Sequence, residues 1–384
     1  MKSTATKLAD FTDSIFGVIS RLARENDAVN LGQGFPDFDG PGWIKDLVTQ
    51  KMAEGHNQYA PFHGTLNLRT EVSNYYKKYY QLDYDRESEV TVTVGATEAI
   101  YLVITALTNP GDEVIVLEPF YDSYVASIKM SGGVPVPVTM HAPDFTVDKS
   151  ELEKAITPRT KMIILNNPHN PSGKVWSREE LMLVADLAQK NDLYVLSDEV
   201  YEFLVFDEAQ HIPTATLEGM RERTITVSSA GKTFGLTGWK IGWICAHPDV
   251  SRVCRLVHQY VTFSVSTPMQ EAVAVGLQSL PDYLPGFVAL YKEKRDFFHA
   301  QMQKLGFEFK SPKGTYFMMV PISAKTQLSD IDYAMKLITE RKVATVPPSA
   351  FYLRSTEGSR FLRFCFAKKE ETLKQALTNL RPEA

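Results

Sequence analysis

The sequence predicts an α/β protein: a mostly parallel central sheet sandwiched by helices, followed by a smaller α+β part. Three observations carry this. Between residue 90 and about residue 245, apolar β-branched runs alternate with helical periodicity, the pattern of strands buried on both faces. After residue 305 that alternation gives way to strand, helix, strand, strand, helix. The chain of 384 residues is 44% hydrophobic. At that length roughly three-quarters of the unfolded surface becomes buried, so the core needs neither disulfide nor metal.

Helical spacing over 14–25 runs into LGQGFPD at 31–37, too rich in Gly and Pro to continue it. Residues 90–94 read as a strand, 97–107 as a helix, 113–117 as a strand, 121–130 as a helix and 134–139 as extended. A helix around 152–156, a buried strand at 161–165, a helix at 178–190 and a buried strand at 193–197 follow. Strands at 224–227 and 241–245 bracket a Gly-rich loop. Residues 268–305 read as helical with breaks near Pro281 and Pro285, because proline removes a backbone donor. The remainder is expected as a strand at 315–320, a helix at 329–340, strands at 343–346 and 361–366, and a helix at 370–380. With no repeat and no flexible linker, two closely packed domains are expected.

Composition narrows the function. Ordinary Gly and Pro contents and 23% charged residues argue against disorder. Forty-one basic against 46 acidic side chains give −5, which argues against a broad nucleic-acid surface. Cys245, Cys254 and Cys365 form no CxxC pair and no disulfide framework, which suits reduced thiols in the cytoplasm. No apolar run approaches the ~18 residues that read as a membrane span. The run at 15–19, between Asp13 and Arg21, lacks a basic leader and is too short for a signal core.

Parallel sheets bind ligands at the carboxyl ends of their strands, and four loops there are chemically loaded. GATEA at 95–99 offers free N–H groups and the Thr97 hydroxyl as a phosphate cradle; a plain N-cap by Thr97 is the alternative. NNPHNPSG at 166–173 follows a buried strand, which directs Asn170 at a ligand, though Asn-Pro turns occur in any loop. SDEVY at 197–201 places Asp198 at the end of an apolar strand, where it needs a partner or caps a helix. SSAGKTFGLTGWKIG at 228–242 sets Lys232 among small residues, where it is either functional or merely solvated. It is not a P-loop, because Thr226 stands where GxxxxGK[ST] requires glycine. Gly32 and Gly34 likewise lack the third glycine of a dinucleotide fingerprint. His169 and His258 lack metal-ligand spacing, so no metal is expected.

Together these loops resemble the class I/II aminotransferases, fold type I enzymes dependent on pyridoxal 5′-phosphate (PLP). The resemblance runs from Ile15-Phe16 to RFCF at 363–366. LGQGFPDF at 31–38, NQYAP at 57–61, VHQY at 257–260 and FCFAKK at 364–369 look most like methionine aminotransferases and kynurenine–oxoglutarate transaminases. The resemblance implies a large PLP-binding domain at 45–280 and a small domain from 1–44 plus 281–384. It makes Lys232 the lysine that holds PLP as a Schiff base and then acts as general base. Asp198 pairs with the pyridine nitrogen, Asn170 and Tyr201 face the phenolic oxygen, and Tyr121 stacks on the ring. Ala96, Thr97, Ser229 and Lys240 match the phosphate site; many relatives carry Arg at the last position, and Lys loses the bidentate fork. Tyr59 matches a residue reaching the neighbouring subunit's phosphate, which implies a homodimer. Arg363 matches the clamp for the substrate's α-carboxylate, assisted by Asn170 and the N–H of Gly34. Phe16, Tyr59, Tyr121 and Phe263 (the last from the partner subunit) match the side-chain pocket, which suits apolar, sulfur-containing or aromatic substrates.

The implied activity is ping-pong transamination of methionine or an aromatic, kynurenine-like amino acid with a 2-oxo acid. Two alternatives stay open: a cysteine-conjugate carbon–sulfur β-lyase using the same cofactor, and a PLP-binding regulator without turnover.

Overall fold

The computed structural model describes residues 5–9 and 11–381. Its elements run α1 (Ile15–Glu25), β1 (Val29–Asn30), α2 (Gly42–Ala53), α3 (Leu66–Tyr80), β2 (Val90–Val94), α4 (Gly95–Leu107), β3 (Glu113–Glu118), α5 (Asp122–Met130) and β4 (Val134–His141). Then come β5 (Thr146–Val147), α6 (Lys149–Ala155), β6 (Thr160–Asn166), α7 (Arg178–Lys190), β7 (Tyr194–Asp198), β8 (Thr224–Ser229), α8 (Ala230–Thr233), β9 (Ile241–Cys245) and α9 (Pro248–Val261). The last part holds α10 (Thr267–Gln278), α11 (Leu280–Lys304), β10 (Phe317–Pro321), α12 (Asp330–Arg341), β11 (Val343–Ala344), β12 (Phe361–Cys365) and α13 (Glu370–Asn379).

Eight strands form one sheet in the order β2-β9-β8-β7-β6-β3-β4-β5. The pairs from β8 across to β4 are parallel, whereas β9 is antiparallel to both β2 and β8. The consecutive parallel strands β6, β7 and β8 are nearly all buried, as expected for strands covered on both faces. Their carboxyl ends therefore open onto one edge, where the loops after Asn166, Asp198 and Ser229 emerge. A separate core joins α11, β10, α12, β12 and α13, with Leu31 and the segment 200–206 packed into it. β10 and β12 form an antiparallel pair, and β1 joins β11.

Several sequence expectations need correction. Helices α2, α3 and α9 were not expected. In α2 and α3 the apolar residues are diluted by polar and aromatic ones, so their 3.6-residue periodicity is weak. Between α10 and α11 the break falls at Ser279 rather than at either proline. Pro281 sits in the first turn of α11, where its missing N–H has no intrahelical partner to lose, and Pro285 lies within the helix. The strand expected at 343–346 ends at Ala344, and Val346 makes only an isolated bridge to Arg363. The strand expected from 315 begins at Phe317, because Thr315 has a left-handed φ of 60°. The Gly-rich loop contains the short helix α8.

Candidate active site

A cavity of about 290 Å³ lies where the strand ends meet the second core. Its wall includes Phe16, Gly34, Ala96, Thr97, Tyr121, Asn170, Asp198, Tyr201, Ser229, Lys232, Lys240 and Arg363. These residues come from loops spread over most of the chain, and the fold brings them together. Tyr59 and Phe263 are not part of the wall. They sit edge-to-face on each other at 5.4 Å, and both are exposed.

Asp198 ends β7, and no helix follows it, so it is not a helix cap. Its Oδ2 accepts from the Tyr124 hydroxyl at 2.6 Å, and its Oδ1 accepts weakly from the N–H of Val200 at 3.4 Å. Burial pushes its pKa up to about 6, against the pull of Tyr124 and of Lys232. Asn166, at the end of β6, positions the neighbouring loop: its amide donates to the Asp198 carbonyl at 2.8 Å, and its side-chain oxygen accepts from the N–H of Asn170 at 2.7 Å.

Lys232 lies in α8, which starts where β8 ends at Ser229. Its Nζ donates to the Tyr316 hydroxyl at 2.7 Å and to the Gly34 carbonyl at 3.2 Å. Burial holds its pKa down, to about 8, with Arg363 and Lys240 pushing the same way and Asp198 opposing. It is thus not a solvated lysine.

Arg363, 1% exposed on β12, donates to Asn170 Oδ1 at 3.1 Å and to the Gly32 carbonyl at 2.7 Å. Its guanidinium lies 4.9 Å from the Phe16 ring centre, 4.1 Å from Phe317 and 5.4 Å from Phe351. Burial lowers its pKa to about 10, still well above neutrality. Its Nε is buried and has no hydrogen-bond partner among the described residues.

At the other end, α4 begins at Gly95 with the uncapped Val94 before it, so Thr97 lies inside the first turn and is not the N-cap. Gly95 has φ +69°, a conformation that favours glycine. Gly242 is needed for space, because a Cβ there would stand 2.7 Å from the Gly95 carbonyl carbon. The exposed Lys240 reaches Thr97 Oγ1 at 3.4 Å, and the Ser229 hydroxyl donates to the Ile241 carbonyl.

Sequence reasoning missed Tyr124, Asn166, Tyr316 and Phe317. Asn166 lay in a loop already singled out. The others carry no local signal, being aromatic residues at positions that read as core. The two histidines have other partners: His169 bonds Ser172 Oγ and the Pro119 carbonyl, and His258 bonds Glu98.

The donor set fits PLP: a primary amine of lowered pKa, a buried carboxylate, and free helix N–H groups beside a cation and two hydroxyls. That is the constellation of a PLP-dependent enzyme. The chain matches the family described as aminotransferase class I and II over residues 26–380. It is 40% identical to a methionine aminotransferase of Escherichia coli, over 98% of this chain and 97% of that protein. It is also 40% identical to a kynurenine–oxoglutarate transaminase of Dictyostelium discoideum, covering 97% and 94% of the two chains. The solved N-succinyldiaminopimelate aminotransferase of Mycobacterium tuberculosis superimposes with a TM-score of 0.96 at 39% identity, covering 98% and 99% of the two chains. This chain belongs to the class I and II aminotransferases. It is accordingly a fold type I, PLP-dependent enzyme that moves an amino group from an amino acid to a 2-oxo acid.

Proposed function

We propose that the enzyme transaminates methionine and aromatic, kynurenine-like amino acids, as a cytoplasmic homodimer, using the cavity around Lys232. The observation that carries this reading is the convergence on one cavity of a lysine amine, a buried carboxylate and a buried arginine.

PLP, when bound, supplies an aldehyde that condenses with amines and a protonated ring that draws electrons from the Cα–H bond. Lys232, Asp198, Asn170, Tyr201, Tyr121, Ser229, Ala96, Thr97 and Lys240 would hold it. Lys232 provides the amine that takes the Cα proton and returns it. A pKa of about 8 keeps an appreciable neutral fraction near neutrality. Asp198 would face the ring nitrogen and keep its proton in place by a charge-assisted hydrogen bond. Arg363 grips the α-carboxylate common to all amino-acid donors, held in place by Asn170 and the Gly32 carbonyl.

Phe16, Tyr121 and Phe317 give the cavity an apolar, polarisable lining. Thioether–aromatic contacts of about 0.3–1.5 kcal/mol favour methionine there. The names of the two 40% identical relatives point the same way. The exposed Tyr59–Phe263 pair supports a dimer in which both serve the neighbouring cavity. Three free, buried cysteines agree with a reducing compartment. A net charge of −5 does not favour nucleic acid, and among the described residues no helix is long and apolar enough to cross a membrane. The same reading divides the chain into a large domain at 45–280 and a small one from 1–44 plus 281–384.

The test is a panel of amino donors against several 2-oxo acids. Methionine, phenylalanine and kynurenine should exceed aspartate and alanine in kcat/KM by at least about tenfold. A preference for aspartate would overturn the substrate assignment. Pyruvate and ammonia released from cysteine conjugates without any oxo acid would establish the β-lyase instead.

A further inference from the structure

We propose that Tyr316 is a positioning residue for the Lys232 amine: together with the Gly34 carbonyl it docks the amine whenever it is not bonded to the cofactor. This rests on the reading of Lys232 as the proton-moving amine.

The hydrogen bonds have a definite polarity. The Tyr316 hydroxyl donates its single hydrogen to the Gly34 carbonyl at 2.5 Å. Toward Lys232 it is therefore only an acceptor, at 2.7 Å, and the Gly34 carbonyl is a second acceptor at 3.2 Å. Both partners hold the amine by its hydrogens and neither can donate to its lone pair. The lone pair of the neutral amine is left for the proton it must take, while the nitrogen is fixed in place. A hydroxyl free to rotate could instead donate to that lone pair and block it.

The Tyr316 side of the dock is buried and packed in place. Tyr316 is 1% exposed. Its ring meets Tyr201 edge-on at 5.2 Å and stacks near Tyr291 at 6.1 Å. Its backbone carbonyl accepts from the N–H of Phe366 at 3.0 Å. Gly34 is pressed against the same segment, since a Cβ there would stand 2.8 Å from the Phe317 ring. The two acceptors come from loops 282 positions apart and are bonded to each other as well as to the amine. The charged and titratable groups facing Lys232 are Asp198, Arg363, Lys240, Cys365 and Tyr201, besides Tyr316 itself. Among these only Tyr316 has a hydrogen bond to the amine.

The test compares wild type, Tyr316→Phe and Tyr291→Phe. In the cofactor-free protein, the pH profile of Lys232 modification by an amine-selective reagent is read by peptide mass spectrometry. Tyr316→Phe keeps the ring and removes one acceptor of the ammonium form. Its midpoint should fall by about one pH unit. In the holoenzyme its kcat should fall about tenfold with the amino-donor KM within about twofold, because the dock acts only while the amine is free. Tyr291→Phe, which touches the packing but not the amine, should leave the midpoint in place. A Tyr316→Phe profile that superimposes on wild type overturns the proposal, as does an unchanged kcat. An equal shift in Tyr291→Phe reduces the effect to packing and also overturns it. Lys232→Ala separates the two readings: if that variant still transaminates, the assignment of Lys232 fails, whatever Tyr316 does to its midpoint.

Discussion

The two ends of the cavity are built differently. At one end Asp198 and Arg363 are 4% and 1% exposed, and each is held by at least one hydrogen bond of 2.7 Å or shorter. At the other end Thr97 and Lys240 are exposed and joined only by a 3.4 Å contact. The buried end is fixed before any ligand arrives, and its desolvation appears as a raised acid and a lowered base. Lys240, at the exposed end, has only that long contact to hold its amine. Under the roles proposed above, the groups that orient the reacting bond are set in place by folding, whereas those that hold the phosphate are left adaptable.

Four measurements would break or sharpen that contrast. Lys232→Ala, which removes the amine of the cavity, should abolish turnover and the absorption band of lysine-bound cofactor while the protein stays folded. Arg363→Ala should lower kcat/KM about 10²–10³-fold for every amino donor, since on the proposed reading it removes a buried partner of the shared carboxylate. A loss confined to one side-chain class would remove Arg363 from that role.

Asp198→Asn tests the buried end without ligand. An acid whose pKa is raised to about 6 from 3.8 binds its proton more tightly when folded. Relative to the Asn variant, the cofactor-free wild type should therefore be most stable below about pH 4. It should lose about 2–3 kcal/mol as the pH rises through 6. Urea unfolding of the two proteins at pH 4.5 and pH 7.5 would show this, and parallel curves would contradict it. Lys240→Ala should have the smallest effect: about five- to tenfold weaker retention of PLP, with a weaker dependence on salt than the wild type shows. Equilibrium dialysis at two salt concentrations would measure it. An effect as large as that of Arg363→Ala would erase the distinction between the ends.

Much of this was legible in the chain itself. The loops at 95–99, 166–173, 197–201 and 228–242 stood out because each follows a strand-like run and carries groups with no reason to be apolar. All four reach the cavity. What was not legible is equally specific. Tyr124 and Tyr316 look like core aromatics, and only their hydroxyl partners, 74 and 84 positions away, reveal another part in the molecule. Helix α3 is hard to read because its buried face includes Arg69, Tyr75 and Tyr76, and α2 because it buries only Ile44, so neither gives a clear periodic signal.

By itself the sequence determined the succession of strands and helices, the punctuation between them and the reactive side chains placed at the strand ends. These are local properties: apolar periodicity and turn chemistry act over a few residues. Only the tertiary structure decided that β9 would enter the sheet between β2 and β8. Only it brought Arg363 within 3.1 Å of Asn170 and seated the Lys232 amine on Tyr316. Such meetings depend on how buried surfaces from distant segments fit together at close packing, and no spacing along the chain encodes that fit.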